Sequence, residues 1–300
     1  MTGIAMTCPP GYDLRETFDP LQFGRDDPTI RVGATEVWRA TRTSAGPATV
    51  HYALVGAELH IEAWGEGGAA ALAGAAEVAG LSDADGAFTP EPGSVPAQLR
   101  DRHPGLRLVR TGNVIEALLL AITSQAASSF EAHRAHQQLL RALGSDAPGP
   151  GGLRLSPTAD TIAGLAAYDL HTIGFEPSQA DLLRRAAAQA HRLDGITDPT
   201  EARRALDGVV GLAPGGIELV LLTALGDPDA VPTGDPQRAQ HVGEVLAGEP
   251  HADDDRMLAL LEPWRGQRGR IVRLVEAELA GDDGVRSNLT INPSSQPRSA

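Results

Sequence analysis

Alternation of apolar and polar positions dominates the first third of the chain. Segments 35–41 and 48–54, carrying Val37, Trp38, Val50 and Tyr52, have strand period and the β-branched and aromatic residues that suit a pleated surface. Gly56 and Ala57 precede a third such run at 59–64, which predicts a hairpin. The alanine-rich stretch 68–80 predicts helix, and the Pro- and Gly-bearing stretch 89–93 reads as a linker. From His103 onward the period becomes helical, with helices separated by Gly and Pro. Asn113 is placed to cap a long helix running to about Leu143, with Ile115, Leu118, Leu119 and Ile122 at helical spacing. Further helices are predicted over 158–166, 177–193, 199–206, 217–225, 236–247, 253–261 and 267–280. The fold class implied is an α+β N-terminal domain followed by an all-α domain. The expected boundaries are an N-terminal extension over 1–26, the α+β domain over 27–95, the helical domain over 96–285, and a disordered Ser-, Asn- and Pro-rich tail over 286–300.

Composition narrows the chemistry. Three hundred residues with 42% hydrophobic content suffice for a sizeable core. No apolar run reaches bilayer length, and residues 1–10 lack a charged segment followed by a hydrophobic one, so no membrane partner and a cytoplasmic location are expected. Cys8 is the single cysteine, which excludes an intramolecular disulfide, a zinc site built from several cysteines and a cysteine-ligated iron–sulfur cluster. All 25 basic residues are arginine, so lysine Schiff-base chemistry is excluded as well. A net charge of −14 argues against nonspecific coating of nucleic acid, yet leaves room for a small basic footprint. Acidic runs at 253–255 and 282–283 read as solvated faces, whereas arginines gather at 265–270. The nine histidines show no metal-ligand spacing; His133 and His136, three apart on one helix, read as surface residues.

The most informative stretch runs from Val209-Val210-Gly211-Leu212-Ala213-Pro214-Gly215-Gly216 through an apolar helix to Leu225-Gly226-Asp227-Pro228-Asp229-Ala230, ending at Gly234-Asp235. A Gly-rich hairpin between two helices offers backbone N–H groups at a helix N-terminus, which suits phosphate oxygens without any cationic side chain. A plain turn between packed helices has the same composition. Taken alone, Asp235 before Pro236 reads as a helix cap.

The register of the whole stretch resembles the helix-hairpin-helix motif of the DNA glycosylase superfamily, with Gly211 and Pro214 on the hairpin, 225–230 on the following piece and Asp235 on the catalytic aspartate. Segments 27–29, 37–43 and 46–49 are similar to the N-terminal domain of the 3-methyladenine DNA glycosylase II branch, and His103-Pro104-Gly105 with Ser124-Gln125 to the entry of its helical domain. The resemblance implies an all-α helix-hairpin-helix glycosylase domain acting on double-stranded DNA with a damaged base, as a monomer. It implies base flipping and cleavage of the N-glycosidic bond, with Asp235 stabilising the developing charge on the sugar. It places Gly211, Ala213, Gly215, Gly216, Arg268 and Arg270 against DNA, and Ser124, Gln125, Ser128, Leu219, Trp264 and Arg273 around the base. No cofactor is expected beyond a monovalent cation at the hairpin backbone. Lysine-using relatives cleave the strand, whereas this chain carries Gly215 at the aligned position; a monofunctional enzyme is implied.

Several positions depart from that pattern. Val210 stands for the hairpin's proline, Ala213 for its second glycine, and Gly215-Gly216 for a Trp-Thr pair. The substitutions imply a loosened helix start, a reshaped phosphate grip and a roomier, less aromatic pocket. Such a pocket suits a bulky adduct, or a DNA- or protein-binding module that has lost efficient excision. Gln125 reads either as a contact to a base edge or as an ordinary interior amide, and the arginines at 265–273 either as phosphate contacts or as a solvated helix end.

Overall fold

The computed structural model describes residues 2–24, 26–125 and 129–280. Strand β1 (Thr2–Thr7) and helix α1 (Leu14–Phe18) precede β2 (Ile30–Val32), β3 (Glu36–Thr43), β4 (Gly46–Val55) and β5 (Glu58–Trp64). These strands form one antiparallel sheet in the order β1-β5-β4-β3-β2. The extension expected over 1–26 is therefore not separate from the sheet: β1 and α1 belong to it. The strand β1 pairs along β5 from Thr2↔Ala63 to Thr7↔Glu58, and α1 drives Leu14 and Phe18 into the sheet's core, with the Phe18 ring 4.8 Å from that of Tyr52. Strand period places Ile30, Val37, Val50, Tyr52, Leu59, Ile61 and Ala63 in that core. The alanine-rich stretch closes it as two short helices, α2 (Gly68–Ala73) and α3 (Ala75–Val78), broken at Gly74.

Helix α4 (Val95–Arg102) is followed by α5 (Val114–Thr123) and α6 (Ser129–Leu143). The single helix expected from Asn113 to Leu143 thus divides. Asn113 does cap it, accepting from the Glu116 N–H at 3.0 Å. At the far end the Thr123 and Ser124 hydroxyls donate back to the Leu119 and Leu120 carbonyls, which competes with continuation of the ladder. A two-stranded ribbon, β6 (Ser145–Asp146) with β7 (Arg154–Leu155), then covers the outer face of the sheet, Leu153 and Leu155 packing on Ala40. The rest is helical: α7 (Ala159–Ala163), α8 (Ala167–Thr172), α9 (Pro177–Ala188), α10 (Pro199–Asp207), α11 (Pro214–Ala224), α12 (Pro236–Ala247), α13 (Asp254–Leu261) and α14 (Arg268–Ala280). The expected disordered tail at 286–300 lies outside the described residues.

The helical region has two cores rather than one. Helices α5–α11 share the first, while α4 and α12–α14 share the second together with Phe88 and Leu106. Ala230 belongs to the first core and Val231 to the second, so the chain crosses between them immediately before Asp235. Two polar anchors fix the sheet to these helices. Glu116 on α5 accepts from Arg39 Nη2 at 2.8 Å and from Thr41 Oγ1 at 3.2 Å, both on β3. His103, just after α4, bridges Glu16 on α1 and Glu278 on α14 at 2.7 and 2.8 Å. His136, expected at the surface, is buried with its ring 5.1 Å from that of Phe23, edge to face, because residues from the sheet unit cover that side of α6. Burial pushes its pKa down.

Candidate active site

The α10–α11 turn is a hairpin whose geometry explains two of the departures. Gly211 has φ +97°, a left-handed conformation that glycine alone adopts without strain. Ala213 sits at φ −69° and ψ 149°, ordinary extended backbone, so glycine is not required there. Pro214 opens α11 at its first position, where its missing N–H costs nothing. Gly211 and Ala213 are exposed, and their N–H groups have no acceptor among the described residues. Two open donors thus stand at the positive end of an 11-residue helix, an arrangement fitted to an anion.

Helices α5 and α11 lie antiparallel: the Thr111 and Gly112 N–H groups donate to Thr223 and Ala224 at the end of α11, whereas Gly216 at its start faces Ala121 near the end of α5. The turn bearing Ser124 and Gln125 is therefore brought to the same end as the hairpin. Gly215 completes this convergence. A Cβ at 215 would fall inside the van der Waals radius of the Thr233 carbonyl, because the backbone leading to Asp235 lies directly on the first turn of α11. Gly215 and Gly216 are buried under Thr233 and Leu212 and are not the DNA-facing residues the resemblance implied. Their small size serves close packing of the Asp235 segment.

Asp235 is the N-cap of α12, its Oδ1 accepting the Gln237 N–H at 3.0 Å. Its side chain is 39% exposed, so the carboxylate remains open to an incoming group while its backbone is held. The preceding Gly234 N–H donates to Asp254 Oδ2 at 2.8 Å, pinning the segment to α13. Arg238, one turn along α12, places Nη1 3.6 Å from Asp235 Oδ2 and Nε 3.0 Å from Glu276 Oε1. Glu276 also accepts from Arg273 Nη1 at 2.7 Å. Burial opposes the charges in this chain of ions, but Arg273 and Arg238 hold Glu276 below the usual carboxylate range, and Glu276 and Asp235 raise Arg238.

Arg273 is accordingly a buried strut and not a wall of the base pocket; only 7% exposed, its guanidinium is committed to Glu276 and lies 3.5 Å from the Thr223 hydroxyl. The other expected DNA contacts of this helix are likewise engaged. Arg270, 3% exposed, forms a fork with Asp83 at 2.7 Å through each nitrogen. Arg268 makes a similar pair with Asp229 at 2.8 and 2.6 Å. Burial works against the Asp229 charge, yet Arg268 and the Gly266 N–H hold its carboxyl below the ordinary range. Carboxylates distant in sequence thus pair with Arg268 and Arg270, and carboxylates three residues away with Arg265 and Arg273.

Trp264 and Leu219 are half-buried, packed on the second and first helical cores respectively. The Ser124 hydroxyl turns back onto its own helix. Gln125 is half-buried, and its Nε2 is a buried donor without a partner among the described residues. Ser128 lies outside the described residues. Arg238, Glu276, Thr233 and, on α9, Arg185 escape a reading of the sequence. Thr233 and Arg238 flank Asp235 along the chain, whereas Glu276 and Arg185 are joined to the site by tertiary contact. Among the described residues no group of three or more His, Cys, Asp or Glu is arranged to hold a metal ion.

No family model and no curated protein matches the sequence. Solved structures do match it in three dimensions. The 3-methyladenine DNA glycosylase from Archaeoglobus fulgidus superposes with a TM-score of 0.75 at 17% identity, covering 92% of this chain and 99% of that one. The MBOgg1 protein in complex with a low-affinity DNA ligand gives 0.70 at 16% identity over 94% and 97% of the two chains. The 8-oxoguanine glycosylase/lyase of Clostridium acetobutylicum, in complex with double-stranded DNA, gives 0.60 at 15% identity over 85% and 99%. The matches extend over 97–99% of those three chains and 85–94% of this one, so the chain shares the overall fold of these proteins.

Proposed function

We propose that the protein is a monofunctional DNA glycosylase that hydrolyses the N-glycosidic bond of an alkylated purine flipped out of duplex DNA. The observation that carries this reading is the placement of Asp235, a partly open carboxylate at the crossing between the two helical cores, two residues after Thr233, whose backbone lies on the first turn of the helix that the hairpin opens, a hairpin with two N–H donors that have no acceptor among the described residues. The hairpin grips a backbone phosphate, which fixes the register of the strand. An N3- or N7-alkylated purine carries positive charge and departs as a neutral molecule, so the reaction asks for a carboxylate rather than a general acid. As the C1′–N bond breaks, Asp235 stabilises the oxocarbenium character at C1′ and orients the water that adds there. The product is an abasic site. With no lysine in the chain, no lysine amine attacks C1′, and strand cleavage through a lysine Schiff base is ruled out. The amide of Gln125, whose Nε2 has no partner among the described residues, is the group best suited to read an edge of the flipped base.

A second reading, a DNA-binding module without excision, is favoured by the engagement of Asp235 with its own helix and with Arg238. Duplexes carrying N3-methyladenine, N7-methylguanine or larger N3 and N7 adducts, heated in alkali after incubation, separate the two. Glycosylase action yields alkali-labile sites that Asp235→Asn reduces by on the order of 100-fold or more. Binding without excision of any lesion, or equal activity in Asp235→Asn, refutes the first reading. Trapping of a covalent adduct by borohydride refutes its monofunctional part.

A further inference from the structure

Every arginine of the expected cationic cluster, from Arg265 to Arg273, has a carboxylate within 4 Å, so any guanidinium that reinforces the hairpin's N–H donors is to be sought elsewhere. One side chain stands beside the hairpin without such a partner among the described residues. Arg185, exposed on α9, donates from Nε and Nη2 to the Val210 carbonyl at 3.3 and 3.2 Å. Its Nη2 lies 3.2 Å from the place a Cβ would take at Gly211. No carboxylate lies within 4 Å of its guanidinium among the described residues; Asp181, one turn back on the same helix, pairs with Arg184 instead. Of the five N–H bonds of a guanidinium, the hairpin carbonyl engages one on Nε and one on Nη2. The outer edge, formed by Nη1 and the second hydrogen of Nη2, remains open, and that edge has the fork geometry that matches two phosphate oxygens.

We propose that Arg185 completes the phosphate site of the hairpin, binding through its outer guanidinium edge the same nucleic-acid phosphate that the Gly211 and Ala213 N–H groups receive. The inference rests on the reading of the protein as a DNA-binding glycosylase. It explains how a chain of net charge −14 with an altered hairpin sequence keeps a localised grip: the cation is supplied by a neighbouring helix and oriented by the hairpin's own carbonyl. A lone exposed arginine would lose side-chain entropy on binding; one already held at Val210 loses less.

The test is a salt titration of binding to a duplex containing a tetrahydrofuran abasic-site analogue, read by fluorescence anisotropy between about 50 and 200 mM salt, a range over which phosphate contacts govern the change in affinity. Arg185→Gln keeps a donor for the Val210 carbonyl and removes the charge; Arg185→Lys keeps the charge. Arg185→Gln is expected to lower the magnitude of the slope of log affinity on log salt by about 0.9, the signature of one phosphate contact, so that this salt increase costs the variant roughly 3.5-fold less than it costs the wild type. Arg185→Lys is expected to keep the wild-type slope, and thermal melting of both variants to match the wild type. A wild-type slope in Arg185→Gln, with binding intact, overturns the assignment of Arg185 and leaves the glycosylase reading standing. Absence of duplex binding by the wild type at about 50 mM salt overturns that reading and this inference together.

Discussion

At the scale of single residues, Asp235 combines two tasks that separate on substitution. Its Oδ1 caps α12, while the remaining carboxylate surface is open at the mouth of the site. Asparagine caps a helix about as well as aspartate, so Asp235→Asn is expected to stay within about 0.5 kcal/mol of the wild type in stability while losing excision; a large loss of stability measured by urea unfolding would show that the charge is structural. Gly215 is the second telling residue. Its replacement by alanine forces a Cβ into the Thr233 carbonyl, and overpacking of this kind costs roughly 1–3 kcal/mol. Gly215→Ala is therefore expected to lower the urea midpoint and to reduce excision by shifting the Asp235 segment. Placing a lysine there is expected to fail to create strand-cleaving activity for the same reason, a result read directly by borohydride trapping.

At the scale of elements, the hairpin and α9 act as one unit. Gly211 is constrained twice, by its φ of +97° and by the guanidinium of Arg185 beside it. Gly211→Ala is expected to cost about 1–2 kcal/mol from the left-handed backbone alone, visible in urea unfolding, and to weaken duplex affinity by displacing both the N–H donors and Arg185. The helix following the hairpin is legible from its apolar run, and so is its start at Pro214. The role of the Gly215-Gly216 pair is not, because the loosened start expected there rests on propensity alone. Propensity is a property of an isolated helix, whereas Gly215 is covered by the backbone of a segment some twenty residues later. The long helix expected over 113–143 fails at a different point: it divides after Thr123, where the hydroxyls of Thr123 and Ser124 bond back to their own helix.

For the whole molecule, long-range charge pairs hold the sheet unit and the two helical cores together. His103 joins α1 to α14 through Glu16 and Glu278. Burial opposes its protonation, yet the two carboxylates raise its pKa above the ordinary value of about 6.5. A group whose pKa is raised on folding contributes stability fully below its unfolded value and loses it as pH rises through the folded one. The melting temperature is therefore expected to fall as pH is raised from about 6.5 through the shifted pKa of His103, and His103→Gln to flatten that part of the profile. Parallel profiles for the two proteins would assign the pH dependence elsewhere. Glu278 acts with the opposite sign: burial would raise its pKa, but Arg102 and His103 hold it low, so its contribution is lost only as pH falls through that depressed value.

Side-chain period, caps and composition are local or additive properties, and features that depend on them alone are legible in the sequence. The strands from Val37 to Trp64, the helices behind Asn113 and Asp235, and the exclusion of lysine and multi-cysteine chemistry depend on neighbours a few residues away or on simple counts. Which arginine is neutralised and which is left open is decided by other means. Arg270 meets Asp83 across 187 residues, and Arg185 meets the Val210 carbonyl across 25. The pairs of Arg265 with Glu262 and of Arg273 with Glu276 span three residues and are local, whereas a pair such as Arg270–Asp83 depends on where the packed cores bring two distant segments, and no spacing along the chain encodes that. The sequence by itself thus determined the elements, the hairpin and the candidate carboxylate. Only the tertiary structure decided that Arg270 and Arg273 are internal scaffolding, that Gly215 makes room for the backbone carrying Asp235, and that a guanidinium from α9 stands beside the hairpin.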